Sequence, residues 1–98
     1  MTVISKVSEI GWQDIADYLR LVEPTEDDIN FITSAIGVAK TFIEGYTGQT
    51  DLDEFEDFVI VVFVLVQDMF DNRTLYVDKT NLNRVVESIL GMHSINLL

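Results

Sequence analysis

The sequence predicts an all-α fold, mainly a small bundle of about four helices around one central apolar helix. Three observations predict it. Apolar residues recur at helical spacing between Ile29 and Tyr46, and capping residues precede several stretches of helix length. Residues 58–66 (FVIVVFVLV) form an unbroken apolar run with acidic flanks. A short β segment near 74–78 or in the C-terminal tail is the alternative at the edges of this bundle.

The first two helices have recognisable starts. Gly11 is a permissible cap for a helix over residues 12–21. Thr25 caps the second helix, and Asp28 stands at the reciprocal position of a capping box. Gly48 follows the apolar stripe and supplies a left-handed helix end. The second helix is therefore the most sharply bounded element of the sequence.

Residues 54–72 are predicted as the central helix. Its valines favour a strand, but the stretch has the length of a helix and contains neither Gly nor Pro. Asp51 and Asp53 are expected to cap it. A helix that is apolar on all sides must be covered on every side, and we expect that one copy of this chain cannot cover it alone.

The remaining elements are short. Residues 74–77 form either a short strand or an extended connector. A last helix is predicted over residues 84–90, capped by Asn83 and closed by Gly91. The apolar tail either docks on a partner or folds back onto the chain's own core. The partner-docking candidates are Ile95, Leu97 and Leu98.

Size and charge limit the classes of function. The 98 residues suit one domain, 1–98, in which folding buries only about 60 to 65% of the extended-chain surface, so oligomerisation is expected. The 17 acidic and 6 basic residues give a formal charge of −11, which disfavours high-affinity nucleic-acid binding. The apolar run is about half a membrane span, and no signal-peptide pattern opens the sequence. A soluble intracellular protein without a membrane partner is predicted.

We predict no catalytic, cofactor-binding or metal site. The chain has no cysteine, and its only histidine, His93, lies beside the C-terminus. A solvated or core-edge position suits His93 better than a catalytic one, because a catalytic base must be rigidly oriented. The acidic run from Asp51 holds Glu56 and Val62 where a calcium loop needs Gly and Glu, so a solvated helix start explains it better.

Several residues of the predicted central helix are candidates for a subunit interface. Aromatic residues are enriched at the buried centres of interfaces, and two faces of one helix cannot both meet the same neighbour. A place in the chain's own core is the alternative for each of these residues. The candidates are Phe55, Val59, Val62, Phe63, Val66 and Phe70.

Several stretches resemble one family of phage proteins. Tyr18-Leu19-Arg20, residues 39–48 (AKTFIEGYTG) and above all residues 66–73 (VQDMFDNR) are similar to phage head-tail connector proteins, which are also called head-completion or DNA-packaging adaptors. Residues 83–98 resemble the C-terminal segment of members from phages and prophages of Gram-positive hosts. The resemblance covers nearly the whole chain but consists mostly of packing residues. Arg84 stands where the final helix of such members often has proline.

The resemblance implies a non-enzymatic virion protein that assembles in the cytoplasm of the bacterial host. Its homo-oligomeric ring, a dodecamer in the virion, would lie beneath the portal protein and dock a head-tail stopper or tail component. DNA would pass through the ring without specific binding. Asp68 and Arg73 lie in the most specific part of the match and are further interface candidates. A helix-end cap or a local ion pair is their alternative role.

A second class of function is also compatible with the charge. Excess carboxylates on a small helical protein can imitate phosphates, so the chain could be an acidic DNA mimic that binds a DNA-binding enzyme. A mimic needs its charges spread over one exposed face of a monomer or dimer, whereas a connector needs closed rings. Oligomeric state therefore distinguishes the two hypotheses.

Overall fold

The computed structural model describes residues 4–95, and its regular secondary structure is entirely helical, as predicted. This part of the chain forms four α-helices, which are α1 (Trp12–Tyr18), α2 (Glu26–Thr47), α3 (Phe58–Asn72) and α4 (Arg84–Met92). Single 3-10 turns lie at Val7–Glu9, Leu52–Glu54 and Lys79–Asn81. Residues 4–95 contain no strand, so residues 74–78 form a connector and the alternative of a β segment there is wrong.

The predicted start and end of α2 are confirmed. The Thr25 hydroxyl accepts a hydrogen bond from the Asp28 N–H at 3.1 Å, and the Asp28 carboxylate accepts one from the Thr25 N–H at 3.2 Å. Gly48 ends the helix in the left-handed conformation at φ 76°, and its N–H donates to the Glu44 carbonyl. These contacts are local, which is why the sequence pattern was sufficient to predict them.

Helix α1 begins after Gly11 as predicted but ends at Tyr18, three residues before the predicted end. Arg20 takes the left-handed conformation at φ 59°. The N–H of Leu21 then donates to the Ala16 carbonyl at 3.0 Å, and the N–H of Arg20 donates to the Asp17 carbonyl at 3.1 Å. This pair of bonds is the Schellman helix end, formed here without glycine.

Helix α3 begins at Phe58, four residues later than predicted, because the preceding acids have other partners. The Asp51 carboxylate accepts from the Asp53 N–H and caps the 3-10 turn. The Asp53 carboxylate accepts from the backbone N–H and the hydroxyl of Ser8, at 2.8 and 2.6 Å. The expectation that Asp51 and Asp53 cap the central helix is therefore wrong. The end of α3 at Asn72 is as predicted.

Helix α4 confirms its predicted cap and corrects its predicted end. The Asn83 side chain accepts a hydrogen bond from the Val85 N–H at 2.8 Å. The helix continues through Gly91 to Met92, and His93 is its C-cap. The backbone of Gly91 stays in the helical conformation. Among the described glycines only Gly48 has the positive φ that ends a helix.

One copy of the chain covers most of α3, contrary to the sequence-based expectation. Helix α2 packs along α3, and α1, α4 and the Val7–Glu9 turn pack against it as well. Within the apolar run only Ile60 is largely exposed, at 53%, and Phe63 and Val64 are half-buried. The expectation failed because an apolar helix signals coverage on all sides without showing which segments supply it. The buried residues of α3 are Phe58, Val59, Val61, Val62, Leu65, Val66 and Met69.

Candidate interaction surfaces

An apolar strip follows the open side of α3. Ile60, Phe63 and Val64 are three and four residues apart and therefore share one side of the helix. Tyr18 of α1 extends this surface, because its ring lies edge-on to Phe63 with 5.1 Å between the ring centroids. The Tyr18 hydroxyl donates to Oε1 of Gln67 at 3.0 Å, and the residue is 43% exposed. We call Tyr18, Ile60, Phe63 and Val64 the α3 strip.

The structure divides the predicted interface residues by exposure. Three valines are buried in the chain's own core and offer almost no surface to another subunit, which corrects their assignment as interface candidates: Val59, Val62 and Val66. The other predicted residues retain some exposure, so a role in an interface stays a prediction for them. Phe55, Phe63 and Phe70 are half-buried, and Asp68 and Arg73 are exposed.

Arg73 lies at the centre of a cluster that joins α2 to α3. Its Nη2 atom lies 3.1 Å from Oδ1 of Asp28, and its guanidinium lies 4.2 Å from the centroid of the Phe70 ring. Phe70 in turn lies edge-on to Phe31, with the centroids 6.0 Å apart. The Thr25 backbone N–H, and then the hydrogen bond from Arg73, lower the pKa of Asp28. Arg73 thus forms an ion pair and lies at a helix end within the chain, which matches its alternative role. The ion pair is not local in sequence, because the partner is Asp28 of α2.

His93 occupies the predicted core-edge position and connects the end of α4 to the start of α3. Its Nε2 atom lies 2.9 Å from Oδ2 of Asp57, and its ring lies against Phe55 with the centroids 4.1 Å apart. The Phe58 ring meets it edge-on at 5.3 Å. The His93 carbonyl accepts a hydrogen bond from Nε2 of Gln49 at 2.8 Å. His93, Phe55 and Asp57 therefore make contacts that stabilise the packing of α4 against the start of α3.

A cleft of about 470 Å³ opens between the C-terminal half of α3 and residues 74–82. Leu65, Val77 and Leu82 give it apolar walls, and Asp68 and Asp78 bring two carboxylates to it. Sequence reasoning missed this cleft, because its two sides are joined by a connector without periodic pattern.

The pKa values of the two carboxylates in the cleft are shifted in opposite directions. Asp68 is exposed overall, but partial burial of its carboxylate, and then repulsion from Asp71, raise its pKa. Hydrogen bonds from Asn81 and Thr80 lower the pKa of Asp78. Among residues 4–95 the Asp68 carboxylate has no hydrogen-bond or ionic partner, whereas the Asp78 carboxylate accepts several hydrogen bonds.

The C-terminal tail begins by folding back onto α2. The N–H of Ile95 donates to the Thr47 carbonyl at 2.7 Å, and the side chain of Ile95 lies beside Gly48. Ile95 nevertheless keeps 45% of its surface exposed. The other two partner-docking candidates, Leu97 and Leu98, lie outside the described residues, so their role stays a prediction.

The surface carries many carboxylates without a basic partner. Within residues 4–95 the only acid–base contacts within 4.0 Å are Asp28–Arg73 and Asp57–His93. The same part of the chain holds no group of three or more acidic or histidine side chains placed to bind a metal ion. None of its helices combines the length and the apolarity needed to cross a membrane.

Comparison with protein-family models, curated proteins and solved structures finds no match. A functional proposal therefore depends on the surfaces described above and on the resemblance in the sequence. Of these surfaces, the α3 strip and the cleft offer contacts that the chain itself does not complete.

Proposed function

We propose that this chain is a structural subunit of a phage or prophage head-tail connector. Its copies would form a closed ring beneath the portal protein, extend the DNA channel and dock the next stopper or tail component. The stretches 39–48 and 66–73 resemble members of this family. Each stretch covers the C-terminal half of a helix, α2 or α3, together with the residue that caps its end. The proposal involves no cofactor and no chemical step.

The α3 strip is the observation that carries this proposal. It presents two aromatic and two aliphatic side chains on the surface of a chain that has 17 acidic and 6 basic residues. Exposed apolar surface with a polar rim is typical of protein contact sites. Aromatic residues are also enriched at the centres of such sites.

A ring needs two different contact surfaces on each subunit, because its contacts are heterologous. Helix α4 offers a second apolar surface, since Val85 is 56% and Met92 is 69% exposed. These residues are seven positions apart and so lie on the same side of the helix. We propose that the α3 strip of one copy packs against this side of α4 in the next copy.

The acidic surface supports passage of DNA without binding. Carboxylates repel phosphates within a Debye length of about 8 to 10 Å at ordinary ionic strength. The same unpaired carboxylates also favour the second candidate function, an acidic DNA mimic that binds a DNA-binding enzyme. The two candidates differ in whether copies of the chain close into rings.

Electron microscopy and native mass spectrometry of the purified protein, alone and with the portal protein of its phage, test the connector proposal. We expect closed rings seated on the portal. Ile60→Asp should reduce ring formation, because it places a charge in the α3 strip. Val22→Asp is the matched control, since Val22 is 89% exposed in the turn that follows α1. Wild-type protein that stays monomeric or dimeric with the portal and displaces DNA from an enzyme would favour the mimic.

The tail residues Ile95, Leu97 and Leu98 are the proposed docking segment for the portal or the stopper. Ile95 is anchored through its backbone to Thr47 but keeps an exposed side chain. Deleting residues 96–98 leaves this anchor in place, so the truncated protein should remain folded while attachment to the portal is lost. Unchanged attachment in a pull-down with the portal would remove the docking role.

A further inference from the structure

The cleft between α3 and residues 74–82 has the size of a binding site and a mixed apolar and acidic lining. Its volume of about 470 Å³ lies within the range of roughly 300 to 1,000 Å³ that ligand sites occupy. Leu65, which is buried, and Val77 and Leu82, which are half-buried, give part of the lining an apolar character. Asp68 and Asp78 add carboxylate oxygens at the same place.

None of the described residues that line the cleft has a basic side chain to balance these carboxylates. The two basic residues nearest in sequence have other contacts. Arg73 pairs with Asp28, and Nζ of Lys79 lies 5.6 Å from the centroid of the Tyr46 ring. Burial and the neighbouring Asp71 raise the pKa of Asp68, which is the effect of a carboxylate without a cation beside it. A positive charge in the cleft would reverse that effect.

We propose that this cleft is a docking site for an arginine side chain flanked by apolar residues in a segment of a different protein. The planar guanidinium can donate several hydrogen bonds at once to carboxylate oxygens. The methylene stem of arginine packs against apolar walls while its charged end reaches polar groups. Asp68 and Asp78 would receive the guanidinium, and Leu65, Val77 and Leu82 would contact the stem and its neighbours.

Charge indicates that the occupant is a different protein. Each copy of this chain has only 6 basic residues against 17 acidic ones, so the chain is poor in the basic segments that such a cleft would take. A partner segment that combines basic and apolar residues has the complementary character. The inference is independent of the connector proposal, because it concerns the chemistry of one cleft and holds for any partner that carries such a segment.

Fluorescence anisotropy with two short labelled peptides tests this proposal on the full chain. One peptide carries a single arginine between leucines, and the other has citrulline, a neutral analogue of arginine, in its place. We expect the arginine peptide to bind at least about tenfold more tightly than the citrulline peptide. The side-chain amide signals of Asn72 and Asn81, which line the cleft, should shift on binding in nuclear magnetic resonance spectra.

Variants locate the binding within the cleft. Asp68→Asn should weaken binding of the arginine peptide by about tenfold. Asp71→Asn removes the same charge from the same helix outside the lining and should weaken binding by less than about threefold. Thr74→Trp should block the cleft sterically, because Thr74 lines it and is exposed.

Four results would overturn the proposal. They are equal binding of the two peptides, equal effects of Asp68→Asn and Asp71→Asn, displacement of the peptide by Mg²⁺ or Ca²⁺ at low millimolar concentration, and self-association that Arg84→Gln and Asp68→Asn both abolish but Ile60→Asp does not. The third result would assign the cleft to metal ions, and the fourth would assign it to a second copy of the chain. Circular dichroism of each variant establishes that a loss of binding does not come from unfolding.

Discussion

Nη2 of Arg73 lies 3.1 Å from Oδ1 of Asp28, and this contact joins the C-terminal end of α3 to the first turn of α2. Asp28 is held in place by its capping box with Thr25. Arg73 is held at the left-handed position that ends α3, at φ 52°. Arg20 ends α1 in the same conformation but has no ion pair or side-chain hydrogen bond within residues 4–95. The two arginines therefore differ mainly in the contacts of their side chains.

Arg73→Glu should destabilise the isolated chain by about 1 kcal/mol, because it removes the guanidinium from the Phe70 ring. It also places a carboxylate beside Asp28, which adds to the loss. Arg20→Glu makes the same change of charge at the same kind of helix end and should alter stability by less than about 0.5 kcal/mol. Urea denaturation followed by circular dichroism measures both. Equal effects of the two substitutions would show that the contacts of Arg73 contribute nothing measurable.

Val62 and Ile60 belong to the same apolar run but differ in burial. Val62 is fully buried, so Val62→Ala should lower the free energy of unfolding by about 2 kcal/mol through lost burial and a residual cavity. Ile60→Ala removes more atoms, but Ile60 is 53% exposed, and the loss should stay below about 1 kcal/mol. Denaturation at low protein concentration keeps association out of the comparison. A larger loss at Ile60 would contradict the burial described for α3.

The sequence was sufficient for features that depend on neighbouring residues. The Thr25–Asp28 capping box, the Asn83 cap and the Gly48 helix end each join residues that are at most four positions apart. The start of α3 could not be read in this way. Asp53 binds Ser8, which is 45 positions away, so no local pattern indicates that Asp53 is unavailable as a helix cap.

The candidate surfaces were less predictable than the fold, because they depend on contacts between residues far apart in the sequence. Asp28–Arg73 and Asp57–His93 join positions 45 and 36 residues apart. An acidic or aromatic residue in a sequence shows that a contact is possible but does not identify its partner. Exposure of Ile60 and burial of Val62 likewise depend on where α1, α2 and α4 lie, although both residues belong to the same apolar run.

The two aspartates of the cleft should affect stability with opposite signs. The pKa of Asp68 is raised, so its contribution to stability is present at low pH and is lost as the pH rises through that pKa. Asp68→Asn should therefore stabilise the protein at neutral pH, by about 0.5 kcal/mol or less. The pKa of Asp78 is lowered, so its contribution is present at neutral pH and is lost as the pH falls. Asp78→Asn should therefore destabilise at neutral pH.

The difference for Asp68→Asn should disappear below about pH 4, where the carboxylate of the unfolded chain becomes protonated. The difference for Asp78→Asn should only begin to shrink there, and it should disappear once the pH falls below the lowered pKa of Asp78. Thermal unfolding of the wild type and the two variants across this range measures them. Melting temperatures that shift in the same direction for both variants at neutral pH would contradict the opposite environments of the two side chains.

Gly48 and Gly45 lie three positions apart and should respond in opposite ways to alanine. Gly48 has φ 76°, and a Cβ atom there would lie 3.5 Å from Cβ of Ile95, so Gly48→Ala should destabilise by about 1 to 2 kcal/mol through backbone strain. Gly45 lies inside α2, and a Cβ atom there would meet nothing within 4 Å. Gly45→Ala should stabilise by about 0.5 to 1 kcal/mol, because alanine loses less backbone entropy on forming a helix. Guanidinium denaturation measures both, and a stabilising Gly48→Ala would show that α2 does not end in the left-handed conformation described here.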